Sequence, residues 1–132
     1  MKLPTPCFVR VLRVLTEIRD GIAELAGYRQ SQAIHEVIDI DFIKRQTEQG
    51  AYEWISCQRL IGAVVNIIQQ VQSPGRDAST LERWNIVRSS MMGPDIEWPT
   101  VLCNAFEFLL DRVNVLRIDA ANARCAYHQV NI

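Results

Sequence analysis

Apolar residues recur every three or four positions along most of the chain, a spacing that predicts helices. Pro4 and Pro6 suit a helix start, where a missing N–H costs nothing. After them Phe8, Val11, Leu12, Leu15, Ile18, Ile22 and Leu25 share one face, and Arg10, Arg13, Glu17, Asp20 and Glu24 fill the other. Gly27 is a normal stop residue for this first helix. Gly21 weakens it by roughly 1 kcal/mol relative to Ala and marks a close approach of another helix. Ser31 is expected to cap a short second helix from Gln32 to about Ile38. Asp39 or Asp41 then caps a third, carrying Phe42, Ile43 and Gln46 and ending at Gly50. The alternation Val37-Ile38-Asp39-Ile40-Asp41-Phe42 also fits a short strand, but no second strand-like run exists to pair with it, so helix is preferred.

Glu53 to Val71 is a strong helix through Trp54, Cys57, Leu60, Ile61, Val64, Val65, Ile67, Ile68 and Val71. From Leu60 onwards it is apolar on most sides, the mark of a buried helix. Asn66 in that run is expected to make an interhelical hydrogen bond. Ser73-Pro74-Gly75-Arg76-Asp77 is turn chemistry. Thr80 then caps a helix through Leu81, Trp84, Ile86 and Val87. Gly93-Pro94 and Trp98-Pro99 bracket an irregular connection.

The last helix is expected from Pro99 or Thr100 to Tyr127. Leu102, Phe106, Leu109, Val113, Leu116 and Ala120 form a seam, and Phe108, Leu110, Val115 and Ile118 add a second apolar face. At 1.5 Å per residue this helix is about 40 Å long, against a radius of gyration of about 14 Å for a domain of this size. It therefore spans the domain or projects beyond it, and projection would leave an apolar face for a partner to cover. The pattern predicts an all-α protein: one domain over residues 1–132, a single helical bundle of about five helices with a long C-terminal helix.

Composition changes this picture little. The 132 residues are 48% hydrophobic and 22% charged, enough for a core and too apolar for disorder. A formal net charge of −1 gives no electrostatic case for nucleic acid or an anionic membrane. Of the 14 basic residues only Lys2 and Lys44 are lysines. The arginine bias suits two-point ion pairs at interfaces, and base composition of the source genome explains it equally well. The cysteines at 7, 57, 103 and 125 lie far apart without a Cys-x-x-Cys pair, and are expected to be reduced and buried. Met-Lys-Leu-Pro-Thr-Pro is a poor signal peptide, and charged residues interrupt every candidate membrane span. A soluble, intracellular protein is expected.

Chemistry is thinly represented. His35 and His128 are far apart in sequence, and Cys125-x-x-His128 is half a metal site at best, so neither metal nor cofactor is expected. Cys57 lies on an apolar helix face and reads as a small buried hydrophobe; Cys103 has no neighbouring base. Asp39 and Asp41 do not share a helix face, and capping is their ordinary job. Arg76 in the turn is expected to pair with Asp77 or a nearby helix end. Trp54, Trp84 and Trp98 are core or interface anchors, not interleaved with a basic patch.

Three segments, in order, resemble the T-complex protein 11 family. The first is Ile38-Asp39-Ile40-Asp41-Phe42-Ile43-Lys44-Arg45-Gln46 followed by Glu48-Gln49-Gly50-Ala51. The second is Ser73-Pro74-Gly75-Arg76-Asp77, and the third is Leu116-Arg117-Ile118-Asp119-Ala120-Ala121-Asn122. The family-like region runs from about Phe8 to Arg124. Family members are usually several times longer, and Gln72-Ser73 stands here where the family has Cys-Ala. The resemblance implies an α-helical fold without known catalytic residues and a scaffold or adaptor role, in association with cAMP-dependent kinase signalling or sperm flagella.

The expected function is a non-catalytic scaffold, or an assembly subunit of a structural, ciliary or organellar complex. Its partners are other protein subunits in an oligomer or hetero-complex. The expected anchors are Trp98, Phe108, Arg112 and Val115 on the last helix, with Arg76 and Trp84 ahead of it. The alternatives are a regulatory adaptor in kinase signalling and an enzyme using Cys103 or the Cys125/His128 pair.

Overall fold

In the computed structural model, residues 5–50, 54–92 and 96–130 are described; the side chains of residues 5–8, 28, 29, 54, 98, 99 and 127–130 lie outside the description. The described chain is helical throughout, without a strand. Its helices are α1 (Thr5–Ala26), α2 (Tyr28–Val37), α3 (Ile40–Glu48), α4 (Trp54–Val71), α5 (Asp77–Ser90) and α6 (Trp98–Val130), with one 3-10 turn at Pro74–Arg76 before α5. The all-α class and the long last helix are as the periodicity predicts. The chain divides into two compact units, Met1–Ile67 and Ile68–Ile132.

In the first unit, Leu15, Ile18 and Ile22 of α1 are fully buried, as are Ile34 and Ile38 at and after the end of α2. Gly21 beside Ile22 is buried too. The second helix starts earlier than Ser31 would have it. Gly27 takes φ 82°, a left-handed conformation that a side chain disfavours. The chain re-enters helix at once, and the Ser31 N–H donates to the Gly27 carbonyl at 3.0 Å. Asp39 caps α3 as expected, its Oδ1 accepting from the Phe42 N–H at 3.0 Å. At the other end Gly50 has φ 69°, and its N–H returns to the Thr47 carbonyl at 3.0 Å, satisfying a carbonyl of the last turn.

Cys57, Leu60, Ile61, Val64, Val65 and Ile68 form the buried stripe of α4. Asn66 is exposed, so the expected interhelical hydrogen bond is not made. The stripe repeats at three and four residues, and position 66 falls off it. The described cysteines are not uniformly buried, and the Cys7 side chain, also expected inside, lies outside the described residues. Cys57 is inside, but Cys103 and Cys125 are exposed, because both sit off the α6 seam.

In the second unit the six seam positions behave as the spacing predicts. Leu102, Phe106, Leu109, Val113 and Leu116 are buried and Ala120 is half-buried. At about 1.5 Å per residue, the 33 residues of α6 run about 50 Å. None of the described helices is long and apolar enough to cross a membrane.

Candidate protein-interaction surface

α5 begins at Asp77, three residues before the expected cap at Thr80. The 3-10 turn at Pro74–Arg76 leads directly into it, so the helix needs no separate entry residue. Thr80 is instead a core residue, completely buried. Its hydroxyl donates to Gln72 Oε1 at 2.9 Å, and Gln72 Nε2 donates to Asp77 Oδ1 at 2.7 Å. The relay ties the end of α4 to the first turn of α5, where a carboxylate is favoured by the helix dipole.

Arg76 does not pair with Asp77, which Gln72 already holds. Its guanidinium spans the Asp119 carboxylate, Nε to Oδ2 at 3.2 Å and Nη2 to Oδ1 at 2.9 Å, clamping the turn to α6. The hydrogen bond from Arg76 holds the Asp119 carboxyl below its ordinary range. The pair also links two of the segments that carried the family resemblance, the Ser73–Asp77 turn and the Leu116–Asn122 stretch. A second exposed pair joins Arg83 of α5 to Asp111 of α6.

Next to the Arg83–Asp111 pair, on the side away from Arg76, the rings of Trp84 and Phe108 stack, with centroids 6.3 Å apart and planes 12° from parallel. The Arg83 guanidinium carbon lies 5.3 Å from the Phe108 ring centre, close enough for a cation–π contact. Phe108 is only 1% exposed. It faces α5 and does not belong to an open second face. Leu110 and Val115 are half-buried, and of the second apolar set Ile118 alone stands well out, at 56% exposure. A hollow of about 240 Å³ opens between α5 and α6, lined by Arg83, Ile86, Val87, Asn104, Glu107 and Phe108. Ile86 on its rim is 67% exposed and Leu81, on the same helix, 44%.

Arg112 is buried, 5% exposed. Its Nη2 donates to Ser79 Oγ at a long 3.4 Å, and its Nε has no partner. Burial first, and then the positive charge of Arg83, hold this guanidinium below its ordinary value; Asp111 and Asp119 act the other way.

Of the six expected anchors, Trp84 and Phe108 are brought into contact, and Arg76 of the 3-10 turn and Arg112 of α6 share one electrostatic neighbourhood. Val115 is half-buried, and the Trp98 side chain lies outside the described residues. Arg83, Asp111, Asp119 and Ser79 were missed. Their partners lie far away in sequence, and no local pattern marks such pairs.

For chemistry the described residues offer little. No group of three or more His, Cys, Asp or Glu among them could hold a metal ion. Burial pushes the Cys57 thiol up to about 12, so it is no nucleophile at neutral pH. The His128 side chain, half of the Cys125/His128 pair, lies outside the described residues. A family model described as T-complex protein 11 matches residues 1–127. No curated protein and no solved structure matches the chain. The family match covers nearly the whole sequence, and the chain belongs to the T-complex protein 11 family.

Proposed function

We propose that this T-complex protein 11 family member is a non-catalytic helical scaffold, an assembly subunit that docks another protein on the α5–α6 surface. The observation that supports this most directly is the hollow beside Phe108 with Ile86 on its rim. An isoleucine held two-thirds in water, next to a stacked Trp–Phe pair and with the charged Arg83 and Glu107 lining the same hollow, gives an apolar centre with a charged border. That is the anatomy of a protein interface, where buried aromatics and arginines contribute most and the rim keeps water out. Ile118 and Leu81 add apolar area on the same two helices. The arginines fit the role because their planar fork holds carboxylates at two points.

The test is native co-purification of the full chain and of an Ile86→Asp variant, with mass spectrometry of what travels with each. Ile86 is exposed, so the variant is expected to keep the parent's thermal stability while losing its companions. A variant that retains the full set of companions would move docking away from this hollow. A parent that travels alone under gentle extraction would remove the scaffold reading itself.

A further inference from the structure

Arg112 is the most anomalous side chain among the described residues. A guanidinium carries five N–H donors and cannot shed its charge. Burying one is costly unless a carboxylate or phosphate meets it. Arg76 and Arg83 each have such a partner in Asp119 and Asp111. Arg112, deeper than either, has among the described residues only the neutral Ser79 hydroxyl at 3.4 Å, and its Nε is buried without an acceptor. The neighbouring arginines repel it, and the nearby carboxylates are engaged elsewhere. The site is one anion short.

Ser79 is where that anion is best supplied. It is exposed, so its hydroxyl can be reached from solvent, and Arg112 already points at its Oγ. It is the third residue of α5, within the first turn, where the helix dipole favours negative charge. Residues 73–76 immediately before α5 are all exposed as well, which gives an enzyme a surface to engage. Opposing charges are Asp77, held by Gln72, and Glu82, three residues further along the helix.

We propose that Ser79 is a phosphorylation site and that Arg112 is the buried guanidinium that receives its phosphoryl group. In the step, the Ser79 oxygen forms a bond to the γ-phosphorus of a nucleoside triphosphate held by a protein kinase. The bond from that phosphorus to the bridging oxygen breaks, and the nucleoside diphosphate leaves with the electron pair. The hydroxyl proton passes to a base of the kinase. The product carries close to two negative charges and three acceptor oxygens, placed where Arg112 lacks an acceptor. Phosphorylation then fastens α5 to α6 beside the hollow, and gives the surface a second state.

The experiment uses the full chain with phosphoserine genetically encoded at position 79. Its melting temperature is expected to exceed that of the unmodified chain by about 3–6 °C. By phosphorus NMR, the second ionisation of the phosphate is expected to fall clearly below its ordinary value of about 6. The reference is the same protein unfolded in urea, so this reading depends on no variant's ability to fold. Both effects should vanish in Arg112→Met, which keeps the length of the side chain and removes its donors. A phosphate that titrates alike in folded and urea-unfolded protein, or that lowers the melting temperature, overturns the proposal. So does an equal stabilisation of the unmodified chain by millimolar inorganic phosphate, which would make this a free-anion site. In protein recovered from its natural source with phosphatase inhibitors present, phosphate on Ser79 supports the proposal and uniformly unmodified Ser79 overturns it.

Discussion

The two units of this chain share an apolar core and differ in the polar groups buried with it. The first buries aliphatic side chains almost alone: Leu15, Ile18, Ile22, Ile34, Ile38, Ile43, Leu60 and Ile61, with Cys57 among them. All three buried polar or charged residues of the described chain, Gln72, Thr80 and Arg112, lie in the second. Apolar burial is non-directional and holds a unit together wherever shapes fit. Polar groups inside must each find a partner at the right distance, so they fix one arrangement and make it sensitive to any change. The first unit thus rests on apolar packing, and the second adds a polar relay, two ion pairs between α6 and the segment before it, and an undersatisfied arginine.

The largest effect that would break this contrast is at Ile18, fully buried in α1. Ile18→Ala leaves a cavity and should cost about 2–5 kcal/mol in urea denaturation; a loss well under 1 kcal/mol would show that the first unit is loosely packed. Next comes alkali. The Cys57 thiol is raised to about 12 in the folded chain, while in the unfolded chain it ionises near 9. Its stabilising contribution is therefore complete below pH 9 and is lost as pH rises towards 12. At about 1.4 kcal/mol per pH unit, the loss is about 3 kcal/mol by pH 11. A Cys57→Val variant should lack this alkaline limb, and identical alkaline profiles would count against a dry environment for the thiol.

Smaller is the polar relay. Thr80→Val conserves shape but leaves Gln72 Oε1 without its donor, at a cost of about 1–3 kcal/mol. No cost at all would mean that water replaces the hydroxyl and that the second unit is wetter than its burial implies. The smallest effect is at acid pH. The Asp119 carboxyl is held low by Arg76, so the pair's contribution is present above pH about 4 and disappears as pH falls through the folded value. Asp119→Asn should flatten this acid limb in a pH series of melting temperatures, leaving neutral stability little changed.

Legibility in the sequence followed the same division. The α6 seam was readable because its residues repeat at four and three positions and one helix turn brings them together. Asp39 and Gly50 were readable because caps are local. The early start of α2 was hidden because Gly27, which reads as a stop, also opens the next helix through its left-handed turn. Thr80 looks like a cap from its neighbours alone, and only the fold shows Gln72 against its hydroxyl. The candidate surface was half visible. Trp84, Phe108, Arg76 and Arg112 stand out by residue type. Their partners Arg83, Asp111, Asp119 and Ser79 do not, since 28 to 43 residues separate the paired charges and no periodicity spans that distance. Phe108 was misplaced on an open face because two apolar faces on one helix do not reveal which is covered.

The far end of α6 carries one more consequence. From Ala121 to Ala126 every side chain is exposed, although the backbone remains helical. An isolated segment this short would not hold a helix in water, so its order is inherited from the packed turns before it. Amide hydrogens along this single helix should therefore exchange on a graded clock, slowest from Phe106 to Leu116 and fastest past Ala121. Anything that grips those last turns will be read as a slowing confined to the end of the gradient, while the seam keeps its original time.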